Sequence, residues 1–125
     1  MNILIVEPEI NGHHISMYVR FLVRGLVSKK MKFSILTSRK IKKHPVLSIL
    51  KKEKNKINFY YLDDLSYPKR NNLLSLFLFQ VSNYIKIQKG FKKTILNQKF
   101  DHIFLTTIDH IDKVIPFLGS PFGEN

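Results

Sequence analysis

At 125 residues, 44% of them hydrophobic, the chain is long enough for one domain with a single core, and 21 Lys and Arg against 9 Asp and Glu give a formal net charge of +12. The absence of cysteine excludes disulfide scaffolds, thiolate catalysis and cysteine-based zinc sites together. The charge is uneven: residues 29–56 hold eleven Lys or Arg against Glu53 alone, a cluster that either attracts phosphates or forms a solvated lysine face.

Met1 leads directly into "NILIV" without the basic region, apolar stretch and small-residue cleavage site of a secretory signal, so cytoplasmic residence is expected. "NILIV" itself is short, β-branched and bounded by "EPEING", which suits a strand buried on both faces. From Ile15 the period changes. Ile15, Val19, Leu22 and Leu26 recur at helical spacing, with Ser16, Arg20, Arg24 and Ser28 on another stripe. "MKFSILTS" is read as a second strand, completing a βαβ unit within 37 residues.

Pro45 can open a short helix running to about Lys54, because its missing N–H is not needed in the first turn. "INFYYL" is a third strand and "DDLSYPKR" a loop. Residues 71–98 place Phe77, Val81, Tyr84, Phe91 and Ile95 on a long helix that Gly90 is expected to weaken or bend. "DHIFLTT" is a fourth strand, followed by a loop and a short helix expected to end near Pro116, then the turn-rich "GSPFGEN". The longest nearly apolar run, residues 73–81, is well short of the roughly 20 residues that span a bilayer. Alternating strands and helices predict a single α/β, Rossmann-like domain over residues 1–125. Its sheet is expected to be mostly parallel, with helices on both faces, and its architecture to be cut short at the C-terminal end.

In such a sheet ligands bind beyond the carboxyl ends of the strands, near the reversal of strand order. Residues 7–14, 37–44 and 106–112 are therefore the loops of interest. In the first, Asn11, Gly12, His13 and His14 precede a helix, so main-chain N–H groups near Gly12 could face an anion and the histidines could bond sugar hydroxyls or phosphate. The alternative is a helix cap at Asn11, a turn at Gly12 and a histidine in solvent. Neither the three-glycine dinucleotide fingerprint nor a GK[ST] phosphate loop is present. No metal site is expected, because His13 and His14, being adjacent, point apart and no helical His-x3-His pair exists. In "TTIDH", Thr107, Asp109 and His110 follow the fourth strand; a carboxylate beside an imidazole suits hydrogen bonding or proton transfer, whereas Asp109 could equally cap the next helix.

The stretch from Met1 to Ser38, with Gly12, His13 and His14 after the first strand and "FSILTS" as the second, resembles the opening βαβ unit of GT-B glycosyltransferases, especially the family-4-like retaining enzymes. "DHIFLTTIDH" is similar to the strand before their acceptor-side histidine loop. The resemblance implies the N-terminal, acceptor-side half of a two-domain enzyme whose donor-binding domain is absent from this sequence. It implies transfer of a sugar from a nucleotide-sugar donor to a glycan or lipid-linked acceptor, without a metal or other cofactor, in surface polysaccharide or lipid-linked glycan assembly. Gly12 would then approach the donor diphosphate, Asn11, His13, His14 and Thr107 would line the substrate edge, and Asp109 and His110 would meet the acceptor hydroxyl. Lys40, Lys42, Lys43, Lys51 and Lys52, with Leu76, Phe77 and Phe79, would form a patch docking on the anionic inner face of the membrane. The alternative is a non-catalytic module that binds nucleic acid or another anionic partner through residues 29–56, although no RNA or DNA motif and no interleaved aromatics are evident there.

Overall fold

The computed structural model describes residues 1–25, 31–53, 57–68, 72–96 and 98–123. Four strands, β1 (Asn2–Glu7), β2 (Lys32–Ser38), β3 (Asn58–Leu62) and β4 (His102–Leu105), form one sheet in the order β3-β2-β1-β4. All three pairings are parallel. Between them lie α1 (Arg20–Gly25, entered through a π-helical turn at Ile15–Val19), α2 (Pro45–Glu53) and α3 (Leu73–Ile95), and α4 (Ile115–Leu118) follows β4. A short 3-10 segment, Arg39–Lys43, joins β2 to α2. The α/β, Rossmann-like expectation is met.

Side-chain alternation in the central strands builds two cores. Ile3, Ile5, Phe33 and Ile35 point to one face and pack with Ile15, Val19 and Val23 of the first helix and Val46, Leu47 and Leu50 of α2. Leu4, Val6, Leu36 and Leu62 point to the other, against Tyr84, Ile87 and Phe91 of α3 and against Ile111 and Val114. Helices thus cover both faces, as a parallel sheet requires.

The departures from expectation have local causes. The π turn widens the helical repeat, so Val23 is buried after Val19 while Leu22 is only half-buried; Leu26 lies outside the described residues. On α3 the buried stripe is Gln80, Asn83, Tyr84, Ile87, Gly90, Phe91 and Thr94, leaving Phe77 and Ile95 exposed. Gly90 neither breaks nor ends α3. A Cβ there would lie 2.8 Å from Leu62 Cβ, so the missing side chain is what lets the helix rest on β3. Pro116 sits in the first turn of α4 rather than at its end, and Gly119, at φ 73°, closes that helix.

The proposed lysine and apolar patch is also corrected. Lys51 and Lys52 ride on α2, whereas Leu76, Phe77 and Phe79 belong to α3, in the layer on the opposite face of the sheet. No helix among the described residues is long and apolar enough to cross a membrane.

Candidate functional site

Strand order reverses between β1 and β4, because the chain builds outward through β2 and β3 and then returns to the free side of β1. The carboxyl ends of these two strands, with the loops 7–14 and 106–112, therefore border one crevice.

At its floor is Glu7, wholly buried at the end of β1. Its Oε1 accepts the Glu9 N–H at 3.0 Å, and its Oε2 is bonded to the Thr106 hydroxyl, which also lies 3.1 Å from the Val6 carbonyl. A hydroxyl has one proton to give, and Glu7 Oε2 and the Val6 carbonyl are its two alternative acceptors. Burial pushes the Glu7 carboxyl above its ordinary range, against the lowering effect of its hydrogen bonds and of His14. Thr37 pairs with Glu7 in the β1–β2 register and shares its sheet face, and its buried hydroxyl has no partner.

Beyond Glu7 the loop turns at Gly12, whose φ of 73° and close packing both disfavour a side chain: a Cβ would stand 3.0 Å from His44 Nε2. The Gly12 carbonyl takes the first helical bond, from Ser16 N–H at 3.0 Å. Asn11 is exposed beside it. The two histidines diverge. His13 is exposed, while His14 turns inward, its Nδ1 3.5 Å from Glu7 Oε2 and its ring edge-on to Tyr18. The expectation of no metal site rested on that divergence, which is real; His14 alone, however, converges with Glu7 and Glu9, one ligand atom from each lying within 4.8 Å of the others. His44 is exposed, and from the surface it packs against Gly12 and caps α2 by accepting the Val46 N–H at Nδ1.

Across the crevice Thr107 is half-buried, Asp109 exposed and His110 half-buried. Asp109 and His110 are not hydrogen-bonded to one another among the described residues, and Asp109 does not cap α4, whose N-cap is Val114. His110 packs edge-on against Tyr67, ring centroids 5.9 Å apart, and Tyr67 stacks on Phe79. Burial, and after it the nearby Glu9 carboxylate, raise the Tyr67 phenol. The 109–113 turn is held by buried Gln80, which donates to Asp112 Oδ1 (2.6 Å) and the Asp109 carbonyl and accepts the Lys113 N–H. Periodicity treated residue 80 as one more helix position; only its burial reveals it as the brace.

Loop 37–44 is tied down by Asp64, which accepts from Ser38 Oγ and Lys40 N–H. Lys40, Lys42, Lys43, Lys51 and Lys52 are all exposed, and Lys42 and Lys51 lie over the rings of Tyr61 and Phe59 at 5.7 and 5.5 Å. The two aromatics they meet belong to β3, outside residues 29–56. Lys29, Lys30, Lys54 and Lys56 fall outside the described residues.

Comparison of the chain with protein-family models, with curated proteins and with solved structures yields no match in any of the three.

Proposed function

We propose that this domain is the acceptor-side half of a glycosyltransferase that moves a sugar from a nucleotide-sugar donor to a glycan or lipid-linked acceptor. The observation that carries the reading is the strand reversal, which sets the Gly12 loop and the Thr107–His110 loop on two sides of one crevice, joined at the floor by Glu7 and Thr106. The main chain of the Gly12 loop would meet the donor diphosphate, although Gly12 itself is buried against His44, and His13 offers an exposed imidazole at the lip. Asp109 and His110 face the acceptor hydroxyl from the far side, with Asn11 and Thr107 beside them. His14 acts through Glu7 rather than on substrate, given its inward turn.

A lipid-linked acceptor is favoured by the tip of α3. Leu73 and Leu74, 86% and 69% exposed, and Leu78 project from its first turns, close in sequence to Phe79, which stacks on Tyr67 and so adjoins His110. Such an apolar tip suits a peripheral seat at a membrane face, without the α2 lysines, which lie across the sheet. The test is an amide-shift titration of the chain with UDP-glucose and GDP-mannose. Shifts at Gly12–His14 and Thr107–His110 are expected, with no sugar transfer by this half alone; shifts elsewhere, or transfer by the isolated chain, would overturn the reading.

The second reading, an anionic partner bound through residues 29–56, is favoured by the Lys42–Tyr61 and Lys51–Phe59 contacts. It predicts salt-sensitive binding of short nucleic acids at the β3 edge, with the crevice amides unmoved.

A further inference from the structure

We infer that Glu7, Glu9 and His14 form a binding site for one divalent transition cation, zinc foremost, at the carboxyl end of β1. The inference goes beyond the proposed function and stands without it.

The geometry of the Glu7–His14 pair is the first ground. Their Oε2 and Nδ1 atoms are 3.5 Å apart, longer than a good hydrogen bond. Two ligands at roughly 2.0–2.2 Å from one tetrahedral zinc stand about 3.4 Å from each other. The second ground is an orphan atom: His14 Nδ1 is buried and has no hydrogen-bond partner, although it points at a carboxylate. An imidazole nitrogen held so is a ligand lacking its acceptor. The third is the third ligand. Glu9 offers a carboxylate oxygen within 4.8 Å of the other two ligand atoms and is only half-buried, so a small side-chain movement closes the set.

The surroundings fit a metal site in two further ways. Glu7 is oriented by Thr106 and by the Glu9 N–H, the kind of outer hydrogen bonding that fixes a ligating carboxylate. Thr37, unpartnered, buried and beside Glu7 on the same sheet face, supplies a hydroxyl for a metal-bound water. One nitrogen and two oxygens select zinc or a neighbouring transition ion over magnesium, which prefers oxygen alone and keeps its waters. Three protein ligands leave a fourth position open.

The test uses the whole chain, stripped with EDTA and titrated with Zn²⁺ and Mg²⁺ by calorimetry and with Co²⁺ by visible absorption; no sugar nucleotide is present, so its outcome is separate from that of the proposed function. One equivalent of Zn²⁺, visible Co²⁺ bands, and Mg²⁺ binding at least about tenfold weaker are expected. Glu9→Gln and His14→Ala should each weaken Zn²⁺ more than about tenfold, while His102→Ala leaves it unchanged. Glu7→Gln tests the buried ligand, with circular dichroism to certify folding, but the two half-buried positions suffice by themselves. Absence of saturable Zn²⁺ binding, equal affinity for Mg²⁺, or binding that survives both Glu9→Gln and His14→Ala would overturn the inference.

Discussion

Gly12 and His44 are in close contact: a Cβ on Gly12 would meet the imidazole at 3.0–3.2 Å, so the ring would have to shift to admit one. The loop that borders the crevice is therefore shaped from behind by a residue of the β2–α2 connection. Gly12→Ala should destabilise the domain by about 1–2 kcal/mol from the left-handed backbone alone, with the clash adding to it. In a His44→Ala background the same substitution should cost less, because only the backbone part remains. Urea unfolding of the four proteins in this cycle measures the difference; equal costs in both backgrounds would show that the contact is unimportant.

Gly90 sets two effects against each other. Alanine is a better helix former by about 1 kcal/mol, yet its Cβ would sit 2.8 Å from Leu62 Cβ. Overpacking at a rigid contact typically costs roughly 1–3 kcal/mol, and here both partners are buried carbons near backbone. Gly90→Ala should therefore lower the melting temperature. A rise would mean that α3 lifts off β3 freely.

The two histidines of the first loop should separate cleanly in stability. His13 is exposed, so His13→Ala should change stability by no more than about 0.5 kcal/mol. His14→Ala removes the imidazole that faces buried Glu7 and packs against Tyr18, and should cost about 1–2 kcal/mol. Thermal unfolding of both variants side by side checks the order.

Asp112 offers a pH prediction. The hydrogen bond from Gln80, outweighing the effect of partial burial, holds its carboxyl below the ordinary 3.8, with Lys113 assisting. A depressed folded pKa means that the stability Asp112 contributes is complete above 3.8 and is lost as pH falls through the lower folded value. Gln80→Leu should move the Asp112 titration, followed by carboxyl NMR, back up toward 3.8 and flatten stability in that acid window. An unmoved titration would assign the depression to Lys113 instead.

Lys42 and Lys51 stand over aromatic rings of the edge strand. The double change Lys42→Glu, Lys51→Glu should weaken binding to anionic vesicles and to short nucleic acids, more at low salt than at high. Vesicle binding that survives it would assign the membrane seat to the apolar tip of α3.

Much of the fold is legible in the chain because apolar runs in β1 and β2 and the helical period after Ile15 are strong, local signals. What the period cannot convey is which polar residues go inside. Gln80, Asn83 and Thr94 occupy the buried stripe of α3, and each has a hydrogen-bond partner there. Glycines mislead for a related reason: Gly90 was a weak point in a helix until Leu62 stood against it. In the crevice, Gly12, His13 and His14 stood out as a compact motif, and the strand reversal brings them opposite Thr107–His110. Tyr67 and His44 carried no such mark, because their importance comes from neighbours distant in sequence. Glu7 reads in the sequence as the first residue of the loop after the strand, and only its complete burial at the end of β1 distinguishes it.

The bond between Glu7 and Thr106 closes a loop of 99 residues, and the Thr106 bond to Val6 one of 100. Contacts of such separation are slow to form, since the entropy of closure comes before any reward from pairing. On a ribosome, β1, β2 and β3 are all available before β4 emerges. Until then the Glu7 carboxyl has no Thr106 to cover it and the first loop has no opposite wall. A nascent chain can therefore carry most of its secondary structure before its two crevice loops are opposed, and the crevice is completed in a single late event.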